Sequence, residues 1–188
     1  MKVTKTPIEG LLVIEPQVFE DSRGFFFEFF NKKKYEKIGI TKNFVQDNLS
    51  KSSHGTIRGL HYQVGDFAQG KLCSVLKGRV LDVAVDIRFG SPTFGMYYYL
   101  ELSDKNRKQF WLPQGFAHGF SVLSDEVIFM YKCTAFYNKE SERAIIYNDE
   151  QLNINWLVEN PIVSDKDKAA KNFNQIEKDF IYNNDLEE

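Results

Sequence analysis

The chain has 188 residues, with 24 Lys plus Arg against 26 Asp plus Glu and a formal net charge of −2. That balance lacks the basic excess of a nucleic-acid binder, and no window of about 18 apolar residues exists to cross a membrane. No apolar stretch follows Met1–Lys5 as a secretory leader requires, and the two cysteines, Cys73 and Cys133, predict reduced core thiols in a cytoplasmic protein.

One domain over residues 1–188 is expected from this length. The 17 Phe and 9 Tyr favour β structure. Taken in chain order, Phe25–Phe30 reads as an aromatic strand and Asn31–Ile38 as a short helix. Lys71–Leu76 reads as the next strand, ended by Lys77-Gly78. Val80–Ile87 alternates with period two. Leu81, Val83, Val85 and Ile87 share the face expected in the core, and Asp82, Ala84 and Asp86 share a face expected to meet solvent or an interface. Tyr97–Leu102 and Val127–Lys132 are further strands, set off by Gly90-Ser91-Pro92, Ser103–Asn106 and Pro113-Gln114-Gly115. Such short, turn-punctuated strands predict an all-β sandwich or jelly roll. Ser164–Phe180 carries a helical pattern, with Ser164 as N-cap and Asp167 at the third helical position in a capping box. Residues 181–188 are expected to form a flexible tail.

Three histidines are present: His54, His61 and His118. A strand carrying His-x-His would place two imidazoles on one face for a metal, but Gln63 stands where the second histidine would be, and no metal is expected. There is no Gly-x-Gly-x-x-Gly for a dinucleotide and no Gly-x-Ser-x-Gly elbow. Cofactor-free acid–base chemistry by His, Tyr, Lys and carboxylates remains, and it suits proton abstraction beside a carbonyl.

Several segments bring a family into view: Asp21–Glu28, Gln46-Asp47-Asn48, Arg58–Gln63, Gln69–Leu72, Asp82–Asp86, Ser91–Gly95, Pro113–Phe120, Tyr131–Thr134 and Asn148-Asp149-Glu150. In number and order they resemble the dTDP-4-dehydrorhamnose 3,5-epimerase family, from about residue 5 to residue 170. The resemblance implies a cupin-type jelly roll, a homodimer, and a reaction without metal or cofactor. The implied reaction inverts C3 and C5 of dTDP-4-dehydro-6-deoxy-D-glucose beside the C4 ketone, on the route to dTDP-rhamnose. A single-centre epimerase acting at C3 or C5 alone is the alternative.

The resemblance makes His61 the base with Asp167 as its carboxylate partner, Lys71 the group facing the C4 oxygen, and Tyr131 the acid. Its substrate contacts fall on Arg23, Glu28, Gln46, Asp47, Asn48, Arg58, Lys71, His118, Glu142 and Lys166, with an aromatic near Tyr137 stacking on the thymine. Phe26 is as readily a core residue as a visitor to a partner's site. A capping carboxylate explains Asp167 without any function, so two roles compete for one side chain. Phe136 precedes Tyr137 where two tyrosines are common in the family, which leaves the stacking residue open.

Overall fold

A computed structural model describes residues 1–182 of the chain. The strands are β1 (Lys2–Lys5), β2 (Leu12–Glu15), β3 (Val18–Asp21), β4 (Gly24–Phe27), β5 (Gln46–Ser53), β6 (Ile57–Gln63), β7 (Lys71–Lys77), β8 (Arg79–Asp86), β9 (Tyr97–Ser103), β10 (Gln109–Leu112), β11 (Phe116–Val122), β12 (Glu126–Cys133) and β13 (Glu142–Ala144). Two short helices, α1 (Lys32–Glu36) and α2 (Asp165–Lys168), complete the elements the site depends on.

The strands form a six-stranded sheet in the order β1-β2-β10-β7-β12-β5 and a five-stranded sheet in the order β13-β6-β11-β8-β9. Their pairings are antiparallel. The sheets pack face to face as a jelly roll. Alternate residues from both sheets fill the space between them: Val13, Val75, Phe110 and Phe129 from one, Val80, Ala84, Phe116 and Phe120 from the other. Phe120 and Phe129 stack across the gap with centroids 4.2 Å apart.

Both outer faces are also covered. Around α1, Tyr35, Ile40 and Phe44 pack on Ile14, Leu72 and Trp111 of the six-stranded sheet. Behind the five-stranded sheet, Leu152, Trp156, Val163 and Phe173 cover Leu81, Val83, Val85 and Ala117. The apolar face of β8 is buried as expected, but the expectation that its Asp82 and Asp86 face meets solvent or an interface is overturned. The apolar face packs against the C-terminal segment, and Asp82 and Asp86, each 0% exposed, point into the protein. The strand is buried on both faces, so its polar face is interior rather than solvated. Asp86 is satisfied there by Arg88, Ser91 and Thr93.

Other expectations change in detail. The aromatic strand ends at Phe27 and forms a separate hairpin with β3, leaving Phe19, Phe25 and Phe26 exposed. The short helix forms with Asn31 as its N-cap, accepting from the Lys34 N–H. The long C-terminal helix does not form: α2 stops at Lys168. From there the chain runs as irregular cover, because the Phe173 N–H is held by Asp149 at 2.7 Å and its ring is buried. Tertiary anchoring overrides local helical preference here. The expected tail does not start at 181 either: Ile181 bridges Phe89, and the Tyr182 N–H donates to the Phe89 carbonyl at 2.8 Å. The rest of that expectation, 183–188, lies outside the described residues.

Candidate active site

A cavity of about 290 Å³ opens between the two sheets at one end of the jelly roll. His61, Lys71, His118, Tyr131, Arg58 and Asn48 line it, with Tyr137 and Glu142 at its rim. Strand alternation explains the convergence. On β7, Lys71 shares the interior face with Cys73 and Val75; on β12, Tyr131 shares it with Val127 and Phe129. His61 on β6 is the cross-strand partner of His118 on β11. The five-stranded sheet therefore contributes both imidazoles, and the six-stranded sheet contributes the ammonium and the phenol.

Gly59 makes this stretch of β6 possible. Its φ is +136°, and a Cβ there would lie 2.5 Å from the Gly119 Cα and 3.0 Å from the His118 carbonyl oxygen. Only glycine permits that approach of β6 to β11.

His61 Nε2 lies 2.7 Å from Asp167 Oδ1. The other Asp167 oxygen accepts from the Gly59 N–H at 3.5 Å, and the Asp167 backbone N–H donates to Ser164 Oγ at 3.1 Å. The competition between the two roles of Asp167 is thus resolved by dividing them. Its backbone joins the helix cap, and its carboxylate holds the histidine. Burial pushes the Asp167 carboxyl up, but the His61, Gly59 and Ser164 contacts outweigh it and hold it below the ordinary range. An ionised Asp167 accepting from Nε2–H leaves Nδ1 as the basic ring nitrogen.

Lys71 donates to the His61 carbonyl at 3.2 Å, and its Nζ lies 6.0 Å from the centre of the Tyr131 ring. Burial lowers the Lys71 pKa, against the pull of nearby anionic forms that would raise it. Burial raises the Tyr131 phenol to about 12, so it stays protonated and able to donate. Deeper in, His118 Nε2 lies 2.9 Å from Asp82 Oδ1 and 3.6 Å from Cys73 Sγ.

At the rim, Glu142 accepts from the Tyr137 hydroxyl at 3.0 Å and from Lys166 at 2.5 Å. These bonds present the Tyr137 ring at the cavity mouth, while Phe136 points to solvent. Arg58 donates to Ser52 at 3.0 Å. Gln46 bridges Asn48 and the Tyr137 N–H. Gln63, at the position where a second histidine would complete a His-x-His pair, clasps both backbone groups of Asn138.

Three of the expected contact residues lie elsewhere on the chain. Arg23 sits at the β3–β4 hairpin with its side chain 88% exposed, paired with Asp21. Glu28 pairs with Lys34, and Asp47 pairs with Lys132 on the outer face of β5 and β12. Asp82 is the interior residue that sequence reasoning missed. The signal was present: the apolar C-terminal segment needs a sheet face to cover, and once β8 supplies it, the Asp82 face must turn inward.

Residues 5–175 match the family model described as dTDP-4-dehydrorhamnose 3,5-epimerase. The enzyme of that name from Shigella flexneri is 53% identical over 174 residues, spanning 92% of this chain and 96% of the relative. The crystal structure of dTDP-6-deoxy-D-glucose-3,5-epimerase from Legionella pneumophila, in complex with dTDP-4-keto-L-rhamnose, superposes with a TM-score of 0.93 at 52% identity, covering 97% of this chain and 98% of that one. The structure of dTDP-4-dehydrorhamnose 3,5-epimerase from Elizabethkingia anophelis gives a TM-score of 0.90 at 52% identity, covering 96% and 99%.

Proposed function

Because the chain belongs to the dTDP-4-dehydrorhamnose 3,5-epimerase family, we propose that it converts dTDP-4-dehydro-6-deoxy-D-glucose to dTDP-4-dehydro-L-rhamnose, inverting C3 and C5 in turn during dTDP-rhamnose biosynthesis. One observation carries the reading. An imidazole backed by a carboxylate stands on one sheet, and a lysine and a protonated tyrosine stand on the other, around one cavity.

Inversion needs a proton removed from one face of a carbon and another returned to the opposite face. His61 Nδ1 takes the C–H proton beside the C4 ketone, and Asp167 stabilises the imidazolium that forms. The electron pair moves toward the C4 oxygen, where the Lys71 ammonium meets the growing negative charge. Tyr131, on the facing sheet, returns a proton to the carbon. The same groups serve C3 and C5 because both flank one ketone.

No step in this reading calls for a metal. Gln63, spent on the Asn138 backbone, supports that part of it. Exhaustive dialysis against a chelator is expected to leave turnover unchanged, and loss restored by an added divalent cation would overturn it. Arg58, His118, Glu142 and Lys166 serve the nucleotide sugar, and Tyr137 offers its ring to the thymine. Gln46 and Asn48 complete the rim. Arg23, Glu28 and Phe26 come to the site from a second copy of the chain in a homodimer. Their exposed hairpin supports this, as do the exposed Leu49 and Leu76 on the outer sheet face. The two buried free thiols fit the reducing cytoplasm. No helix among the described residues is long and apolar enough to cross a membrane.

The test is isotope wash-in. In deuterium oxide the enzyme is expected to place deuterium at both C3 and C5. Label at one carbon alone would make it the single-centre epimerase, and label at neither would end the proposal.

A further inference from the structure

Asp82 takes no part in the proton transfers described above, yet it is a fully buried carboxylate beside them. One oxygen, Oδ1, meets His118 Nε2 at 2.9 Å. The other, Oδ2, is buried with no hydrogen-bond partner among the described residues. An unpartnered buried carboxylate oxygen is costly unless a positive charge nearby offsets it.

The groups facing Lys71 show where that offset lies. They are Cys73 on its own strand, Cys133 and Tyr131 on β12, Asp82 on β8, His118 on β11, His61 and Arg58 on β6, and Glu142 on β13. Burial raises both thiols and the phenol, which keeps all three neutral. Glu142 is engaged by Lys166 and Tyr137 at the rim. Asp167 is engaged by His61. Burial raises the Asp82 carboxyl as well, but His118 and Lys71 pull the other way. With Oδ1 on His118 Nε2 and Oδ2 without a hydrogen-bond partner among the described residues, Asp82 is the carboxylate left to balance Lys71.

Resting on the proposed epimerase reading, we infer that Asp82 is a positioning residue for the reaction. Its Oδ1 fixes the His118 ring through Nε2, and its charge holds the Lys71 ammonium in its charged form inside the jelly roll. The site then contains two His–carboxylate pairs with different tasks. The His61–Asp167 pair is open to the substrate and moves protons. In the His118–Asp82 pair, His118 faces the nucleotide sugar and Asp82 behind it sets the field. Removing the Asp82 charge lets Lys71 lose its proton at lower pH, and enolate stabilisation goes with it.

The test compares Asp82→Asn, which keeps shape and removes charge, with Cys73→Ala, which disturbs the same interior and removes none. Both chains are checked by thermal melting, and turnover of the 4-ketosugar is followed from about pH 6 to pH 10. For Asp82→Asn the alkaline limb of kcat is expected to move down by about one unit or more. Its kcat is expected to fall more than about tenfold, with KM changing less than about threefold. The limb for Cys73→Ala should stay in place. An unmoved limb in Asp82→Asn, or equal movement in both variants, overturns the inference. A second measurement needs no variant: the ¹³Cγ resonance of Asp82 in the wild-type chain, recognised by its contact with the His118 ring. It should report an ionised carboxylate at neutral pH, and a protonated one refutes the idea. Wild-type turnover in the same assay separates failure of this inference from failure of the epimerase reading.

Discussion

Asp167 shows how one residue serves two ends without conflict. The helix takes its backbone N–H, and His61 takes its carboxylate. Its folded pKa lies below the ordinary carboxylate value. The stability it confers is therefore complete above the unfolded value of about 3.9 and is lost as pH falls through the lower folded value. Asp167→Asn is expected to cost about 1.5–3 kcal/mol in urea unfolding at pH 7. The gap to wild type should close as pH falls below about 4. A gap that persists in acid would mean that the loss is one of packing. Lys71 predicts a loss of the same sign. It is a buried cation whose visible hydrogen bond goes to a backbone carbonyl. Replacing it with Met leaves the buried Asp82 charge without its balance and is expected to cost about 3–5 kcal/mol while removing epimerisation. A Lys71→Met chain that melts like wild type would contradict the balance with Asp82, and one that still turns over would contradict the oxyanion role.

At the level of elements, β6 and β11 carry the two histidines of the site and are among the strands that the sequence pattern does not mark. Gly59 and Gly119 interrupt their patterns because the two backbones approach one another there. Gly59→Ala combines a disfavoured φ with a backbone clash. It is expected to cost at least about 2 kcal/mol by denaturant unfolding and to reduce activity by displacing Arg58 and His61. Unchanged stability would show that the β6–β11 approach is not tight. The strands read most easily, β7, β8, β9 and β12, are runs rich in apolar and aromatic residues, and β8 alternates with period two. Even there, periodicity told which residues share a face and not which face is inside. Val83 and Val85 are core residues as expected, but a sheet with cover on its back has two buried faces, so the Asp82 face is interior too. The C-terminal helix failed for a related reason. Ser164 and Asp167 signalled its start correctly, but its end is set by Asp149 anchoring Phe173, a contact between residues 24 apart that local pattern does not encode. Of the site, His61, Lys71, Tyr131 and Asp167 were legible through the order of the motifs. The division of Asp167 between two partners, and the inward turn of Asp82, required the tertiary cover.

The whole molecule poses a question of stoichiometry, because Arg23 lies on an exposed hairpin away from the cavity of its own chain. If the homodimer carries that hairpin across to the other protomer, each site is built from two chains. A closed two-fold dimer then makes a sharp prediction. Arg23→Ala alone should weaken substrate binding by about 1.5–3 kcal/mol, seen as a raised KM. His61→Asn alone should lower turnover by about 10²–10⁴-fold or more. Each mixed dimer holds one site with an intact His61 that receives an intact Arg23 from its neighbour, and one site with neither. Unfolding and refolding the two variants together should therefore recover roughly a quarter of wild-type activity at subsaturating substrate, although each variant alone is impaired. If Arg23 served its own chain, no mixed dimer would hold a complete site, and mixing would restore nothing. Sedimentation of the mixture must show dimers for the comparison to count, and a monomeric chain with full activity would refute the shared site outright.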